Sequence, residues 1–235
     1  MTDAITYPSY VDLDPFIDVE RLKALDTCIK ARLEDRLRVA RDLQFYTGPF
    51  LLEPTAPTRP GSRMVYLSRS AREDSYYDLD RTELWRPSEE AEEFAELMAF
   101  IATLPFKATG RMLIMYDDSG RAVSAHRDHD RAGHCHEFIW FRTNRDKPFY
   151  MLDPATGAKL YVGSHAAWFD TVNQYHGADA APGLAFSIRV DGVFTDDFRA
   201  RMPAADPANA AARPALWAEA MREGRALASG PGQRQ

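Results

Sequence analysis

At residues 110–120 the chain reads GRMLIMYDDSG, an apolar run that ends in a turn sequence. The run Met112–Tyr116 has the length of a β-strand, and Asp117–Gly120 is typical of the tight turn in a β-hairpin. Further short apolar runs follow at intervals of roughly ten residues, which is the spacing of a jelly roll or a β-sandwich. They are Cys135–Arg142, Pro148–Leu152, Lys159–Val162, Ala167–Val172 and Leu184–Val193, with a second predicted hairpin turn at Asp153–Gly157.

The residues before this region have the apolar spacing of helices. Ile29 and Leu33 lie on the apolar face of a helix predicted for residues 18–43, and Asp18 is placed to cap its first turn. A second helix is predicted to begin near Ser88. The turn-rich sequence between the two helices predicts loops with one or two strands.

These patterns predict an α+β, mainly β fold with a jelly-roll, cupin-like core and flanking helices. The length of 235 residues favours one domain overall. Helices and loops at residues 1–105 are expected to pack on a catalytic core at residues 106–200. Residues 201–235 are expected to form a C-terminal helix, at Leu216–Leu227, and a disordered tail.

The composition and charge narrow the class of protein. A net charge of -6 argues against a sequence-independent nucleic-acid binder, which would present a basic stripe. Cys28 and Cys135 form no CxxC pair, which favours a reducing compartment. The sequence contains neither a signal-peptide pattern nor an apolar run long enough to span a bilayer. We therefore expect a cytoplasmic protein that binds neither nucleic acid nor membrane, in an oligomeric state that the sequence leaves open.

A metal site is predicted by three residues of the strand-rich region. His126 and Asp128 lie two apart, so in an extended segment both side chains point to the same side. His176 follows fifty residues later, and a jelly roll can bring such distant strands together. Two histidines and one carboxylate are the ligand set of non-haem iron(II) oxygenases, which leaves coordination positions for a bidentate 2-oxo acid and for dioxygen. His165 is the alternative third ligand.

The cosubstrate 2-oxoglutarate would need its own anchor. Arg189 lies thirteen residues after His176 on a predicted strand, and its planar guanidinium suits a carboxylate. Ser187 lies two residues before Arg189, hence on the same face of that strand. Together they are the candidate site for the distal carboxylate of 2-oxoglutarate, with a surface position of Arg189 as the alternative.

The strand-rich region resembles the aspartyl/asparaginyl β-hydroxylase-like branch of the Fe(II)/2-oxoglutarate oxygenases, and it also resembles free-proline hydroxylases. The resemblance covers residues 110–195 and implies a double-stranded β-helix that hydroxylates an unactivated carbon. It implies that His136 helps to hold 2-oxoglutarate. His134 stands where the family usually has an arginine that touches substrate, a departure that bears on substrate preference. The matching segments are His126–Asp128, His136–Ile139, Thr143–Asn144, Trp168–Thr171, His176–Gly177 and Ser187–Gly192.

The expected function is hydroxylation of an amino acid, an amino-acid-derived compound or a peptidyl side chain, with release of succinate and CO2. Tyr116, Trp140, Arg142 and His134 are the candidate substrate-binding residues, although the two aromatic residues are equally well explained by packing. Two other functions stay open. One is a cupin-type metalloenzyme, a dioxygenase or isomerase, that does not use 2-oxoglutarate, and the other is a metal-free binding module on a degenerate jelly roll.

Overall fold

The computed structural model of the chain describes residues 10–39, 63–71, 79, 81–128, 137–153, 155–171 and 174–202. Within these ranges the strands form two main sheets and one short strand pair. The larger sheet has the order β1 (Val11–Asp12), β10 (Ala166–Trp168), β7 (Phe138–Phe141), β12 (Ala185–Phe194), β5 (Phe106–Asp117) and β2 (Arg63–Tyr66). The smaller sheet has the order β6 (Val123–His126), β11 (Tyr175–Ala178), β8 (Phe149–Leu152) and β9 (Lys159–Tyr161), while β3 (Ser68–Ser70) pairs with β4 (Trp85–Pro87).

The strand order confirms the predicted mainly β, jelly-roll fold. From β5 to β12 the chain passes back and forth between the two sheets, and each pairing between their strands is antiparallel. This alternation winds the eight strands into a double-stranded β-helix. The N-terminal part of the chain adds to the larger sheet as well, because β1 and β2 form its two edges.

The two predicted turns have different outcomes. β8 and β9 form the predicted hairpin, and Gly157 adopts a positive φ of 74° in the turn between them. The turn at Asp117–Gly120 also exists, with a φ of 69° at Gly120, but the prediction of a hairpin there is wrong. It connects β5 to β6, and these strands lie in different sheets.

Each of the two helices predicted in the N-terminal region is divided in two. The first becomes α1 (Val19–Ala24) and α2 (Asp26–Val39), and Asp18 caps it as predicted by accepting a hydrogen bond from the Arg21 amide at 2.9 Å. The second becomes α3 (Glu90–Glu93) and α4 (Ala95–Ile101). Ser88 is not its cap, because Glu89 occupies the N-cap position and no side chain caps the helix, while the Ser88 hydroxyl donates to the Tyr66 carbonyl. A short helix, α5 (Asp196–Arg201), follows β12. The predicted helix at Leu216–Leu227 lies outside the described residues.

Alternation along the strands divides the larger sheet into two faces. Ile114 and Ile188 pair across β5 and β12 and join a buried apolar cluster with Leu33 and Leu97 of the helices. The residues one step along, such as Leu113 and its partner Arg189, point to the other face, toward the smaller sheet. The interior of the barrel is therefore where the candidate site lies. None of the helices in the described ranges is long and apolar enough to cross a membrane.

Candidate metal centre

The predicted metal ligands lie together at the end of the smaller sheet. His126 ends β6 and pairs directly with His176 of β11, and the centroids of the two imidazole rings are 4.5 Å apart. Asp128 follows β6, and its amide donates to the Thr171 carbonyl at 2.8 Å, which fixes the backbone that carries the carboxylate. One ligand atom from each of the three residues lies within 4.8 Å of the other two. This spacing allows all three to coordinate a single ion.

Both imidazoles are oriented for metal binding by backbone carbonyls. His126 Nδ1 lies 2.9 Å from the Ser124 carbonyl oxygen, and His176 Nδ1 lies 3.1 Å from that of Gln174. A carbonyl can only accept, so these contacts assign the proton to Nδ1 and leave the lone pair on Nε2. The Nε2 atoms lie 3.9 Å (His126) and 3.5 Å (His176) from Oδ1 of Asp128. Such outer hydrogen bonds are typical of metal-ligating histidines.

A glycine permits the close approach of the two ligand-bearing strands. A Cβ on Gly177 would lie 2.7 Å from the Val123 carbonyl oxygen of β6 and 2.8 Å from the Tyr150 hydroxyl of β8. Any side chain there would separate β11 from its neighbours. Gly177 therefore helps to hold His176 opposite His126.

The two oxygens of Asp128 face different partners. Oδ1 faces the histidines, whereas Oδ2 accepts from Nη1 of Arg189 at 2.7 Å. Burial alone would raise the pKa of Asp128, but while the two imidazoles are protonated the hydrogen bond and charge of His176, together with the charges of Arg189 and His126, hold it well below its usual range. The charge of Arg189 acts in the same direction when the imidazoles are neutral. The carboxylate is therefore ionised and available as a metal ligand at neutral pH.

Arg189 lies in the barrel interior, as predicted, with its side chain 8% exposed. Its Nε donates to Oδ1 of Asp191 at 2.9 Å, and Nη2 lies 2.9 Å from the same oxygen. The guanidinium carbon lies 4.1 Å from the centre of the Phe138 ring. Ser187 is on the same face of β12 as Arg189, opposite Met115 of β5, and is partly exposed.

Of the predicted aromatic residues, Trp140 and Tyr116 point in opposite directions. Trp140 pairs with Arg189 and so faces the interior, where it stacks on Phe149 with ring centroids 4.4 Å apart. Tyr116 pairs with Phe186, which lies three residues before Arg189 and therefore on the opposite face of β12, the face of Ile188. The expectation that Tyr116 lines the pocket is therefore corrected by the alternation of the sheet.

Arg142 and His165 form a separate polar group with Asp14. Arg142 is buried and donates to the carbonyls of Val162, Ser164 and Lys147, so its donors hold loops together rather than facing the metal centre. His165 Nδ1 lies 3.1 Å from the Arg142 carbonyl oxygen, and this residue is not part of the His–Asp–His cluster. The geometry therefore favours His176 over His165 as third ligand and assigns Arg142 a structural role.

The remaining predicted site residues lie outside the described part of the chain. They are His134 and His136, within the segment 129–136 between β6 and β7.

Sequence reasoning missed two charged residues next to Arg189. Asp191 is fully buried, and its Oδ2 accepts from Nε of Arg111 at 2.9 Å. Asp191 lies two residues after Arg189 on the same strand, so the alternation that placed Ser187 beside Arg189 could have placed Asp191 there as well. Arg111 could not be found this way, because its approach depends on the pairing of β5 with β12.

No protein-family model and no curated protein matches the chain. Among solved structures, it is similar to a prolyl-4-hydroxylase from Pseudomonas putida at 13% identity and a TM-score of 0.41, over 78% of this chain and 90% of that one. It is also similar to a prolyl hydroxylase from Trichoplax adhaerens, in complex with a hypoxia inducible factor oxygen degradation domain peptide fragment, at 12% identity and a TM-score of 0.37, over 74% of this chain and 81% of that one. Both are described as prolyl hydroxylases, and neither as an aspartyl or asparaginyl hydroxylase.

Proposed function

We propose that this protein is an Fe(II)- and 2-oxoglutarate-dependent hydroxylase that acts on an unactivated C–H bond. The observation that carries the proposal is the convergence of His126, Asp128 and His176 inside a jelly roll, with Arg189 in contact with the same carboxylate. The substrate class is an amino acid, an amino-acid-derived compound or a peptidyl side chain, in keeping with the branch that the motifs resemble.

The ligand set suits iron(II). Two neutral imidazoles from the neighbouring strands β6 and β11, and the carboxylate that follows β6, would hold an ion and leave coordination positions for the cosubstrate and dioxygen. Iron bound there, with 2-oxoglutarate and dioxygen, would supply the oxidising power to place one oxygen atom on the substrate, with release of succinate and CO2. The protein's own part is to hold the ion through His126, Asp128 and His176, and to offset part of its charge with Asp128.

Arg189 has enough N–H groups to bind the distal carboxylate of 2-oxoglutarate in addition to Asp191 and Asp128. Arginine has five N–H groups, and the contacts with Asp191 and Asp128 account for three of them, on Nε, Nη2 and Nη1. One N–H on each terminal nitrogen is left with no partner among the residues that the structure describes. Two such donors match the two oxygens of a carboxylate.

The interior aromatic residues would exclude water from this site. Phe169 lies 5.1 Å from the His176 ring and Phe149 lies 6.0 Å from it, between ring centroids. Trp140 stacks on Phe149 and closes the same wall. An apolar wall beside the ligands strengthens the electrostatic interactions of Arg189 and limits side reactions with water.

A cupin-type metalloenzyme that does not use 2-oxoglutarate is the second candidate. The specific observation in its favour is the contact of Arg189 Nη1 with Oδ2 of Asp128. In such an enzyme the whole role of Arg189 would be to orient the metal-binding carboxylate. The two candidates differ in one respect that is easily measured, which is whether turnover requires 2-oxoglutarate.

The experiment is a succinate-release assay with iron(II), 2-oxoglutarate and a panel of free amino acids and peptides, with the His176→Ala variant as control. We expect substrate-dependent succinate formation by the wild-type chain alone. Mass spectrometry under labelled dioxygen should find one added oxygen atom that derives from dioxygen. Turnover without 2-oxoglutarate would favour the second candidate. A chlorinated product would contradict the proposal, since Asp128 fills the coordination position that a halide needs.

A further inference from the structure

The geometry points to Asp191, with Arg111 behind it, as the positioning pair that aims Arg189 at the distal carboxylate of a 2-oxo diacid. This inference rests on the proposed function and adds to it two residues that touch neither metal nor cosubstrate. Asp191 fixes the guanidinium, and Arg111 fixes Asp191.

Asp191 holds Arg189 by one edge of its guanidinium group. A single carboxylate oxygen lies 2.9 Å from both Nε and Nη2, so it grips one edge of the planar guanidinium. The Phe138 ring covers one face of the plane at 4.1 Å. With one edge and one face held, the remaining N–H groups of Arg189 have a fixed direction, which lowers the entropic cost of binding a carboxylate.

The second step is the burial of Asp191 between two arginines. Its carboxylate has no exposed surface, and Arg111 Nε, with its side chain 11% exposed, donates to the oxygen that Arg189 does not use. A buried carboxylate is costly unless each oxygen is paired. Arg111 therefore prevents Asp191 from turning away from its position beside Arg189.

The third step is the balance of charge. Arg111, Asp191, Arg189 and Asp128 form a line of alternating sign, with contacts of 2.9, 2.9 and 2.7 Å between neighbours. The line is neutral, and a divalent metal together with dianionic 2-oxoglutarate is neutral as well. Both can therefore enter without leaving an unbalanced buried charge. Loss of Asp191 would break this balance next to Arg189 and not at the metal ligands.

The experiment compares two ligands that differ only in the distal carboxylate. The full chain is loaded with manganese(II), which replaces iron without redox chemistry, and is titrated calorimetrically with 2-oxoglutarate and with 2-oxobutyrate. In the Asp191→Asn variant we expect the affinity for 2-oxoglutarate to fall by about 10- to 100-fold, the usual range for an outer partner of a site. The affinities for 2-oxobutyrate and manganese should stay the same.

Asp117→Asn is the matched control, because Asp117 is a buried carboxylate of β5 that pairs with Lys147 and not with the arginines. It should leave both 2-oxo acid affinities unchanged. Arg111→Gln is the second variant, needed if Asp191→Asn does not fold. It should lower the affinity for 2-oxoglutarate several-fold, and Arg111→Lys should restore part of the loss.

Two results would overturn the inference. One is an unchanged affinity for 2-oxoglutarate in Asp191→Asn or, where that variant does not fold, in Arg111→Gln. The other is an equal loss of affinity for both 2-oxo acids, which would mean that the whole site is disrupted and not only the orientation of Arg189. A wild-type chain that does not prefer 2-oxoglutarate to 2-oxobutyrate would instead contradict the proposed function itself, and the inference with it.

Discussion

Two polar groups of nearly the same composition lie at opposite ends of β10. The first, which we call the metal group, consists of His126, Asp128, His176 and Arg189, and the Asp128 amide bonds to the Thr171 carbonyl just after β10. The second, which we call the loop group, consists of Asp14, Arg142 and His165 and lies just before β10. In the metal group the side chains contact one another, and the Nε2 atoms of both histidines face one carboxylate oxygen. In the loop group the charged side chains bond to the backbone. Asp14 accepts from the amides of His165 and Ala166.

The difference shows how to separate a binding site from a structural polar group. A buried charge whose hydrogen bonds go mostly to backbone amides or carbonyls has little left for a ligand. Burial lowers the pKa of Arg142 to about 10, with a smaller contribution from the charge of Arg145, so the residue remains charged at neutral pH while its donors serve three carbonyls. In the metal group, by contrast, the atoms that could bind a metal, Nε2 of both histidines and Oδ1 of Asp128, converge on a common point.

Removal of the histidine from each group in turn tests whether only the metal group binds a metal. His176→Ala should weaken manganese(II) or iron(II) binding by several hundredfold, because roughly 3–4 kcal/mol is the share of one ligand in a typical structural metal site. His165→Ala should leave metal affinity unchanged and lower the free energy of unfolding by about 1 kcal/mol. Calorimetric metal titration and thermal melting measure the two effects. Equal loss of metal in both variants would remove the distinction between the groups.

The arginine of the metal group supplies the second comparison. Arg189→Ala should weaken 2-oxoglutarate binding by roughly 2–5 kcal/mol, since truncation removes one partner of a charge-assisted pair in a nearly buried site. Metal binding should persist, because Arg189 is not a ligand. Titration of the manganese-loaded variant with 2-oxoglutarate measures the effect. An unchanged affinity would rule out Arg189 as the anchor and leave only its contact with Asp128.

The arginine of the loop group should behave in the opposite way. Arg142→Met leaves the carbonyls of Val162 and Ser164 without their donor, and we expect a loss of about 2–3 kcal/mol in the free energy of unfolding. Affinities for metal and for 2-oxoglutarate should stay within about twofold of those of the wild type, as expected for a change that leaves the ligands in place. Chemical denaturation measures the first quantity. A variant of unchanged stability with weakened 2-oxoglutarate binding would show that Arg142 has a binding role instead.

The smallest expected effect is at Ser187. Ser187→Ala should weaken 2-oxoglutarate binding by about 1 kcal/mol, the net value of one hydrogen bond, in the same direction as Arg189→Ala. Ser187→Thr, which keeps the hydroxyl, is the matched control. A loss in the threonine variant as large as that in the alanine variant would assign the effect to shape rather than to hydrogen bonding.

Strands β5 and β12 of the larger sheet could be predicted from the sequence far better than strands β6 and β11 of the smaller one. The apolar runs at Met112–Tyr116 and Leu184–Val193 predict strands from the sequence alone, and both lie in strands of the structure, β5 and β12. β6 and β11, which carry the two histidines, were not predicted as strands. Each has only four residues and little apolar character, and they are extended because they pair with each other and, in the case of β11, with β8. The candidate ligands on them could nevertheless be selected from the sequence, because histidine and carboxylate residues at this spacing are recognisable before the strands are known.

The errors at single residues have a common physical origin. Arg142 was a candidate substrate-binding residue, but its partners are carbonyls of loops about twenty residues later in the chain, which no local pattern reveals. For Tyr116 the sequence left a pocket position and a packing position open, and the structure places it on the packed face of β5. The relative register of β5 and β12 decides that face, and register is a property of the folded sheet.

A crystal structure of the full chain grown with manganese(II) and 2-oxoglutarate would show directly which residues hold the metal and the cosubstrate. We expect one ion bound by His126, Asp128 and His176, and a 2-oxoglutarate that chelates the ion. Its distal carboxylate should bind Arg189, and Asp191 should still contact the edge of the guanidinium. An ion held by His165 or His134 with His176 turned away, or a 2-oxoglutarate bound without contact to Arg189, would contradict this expectation.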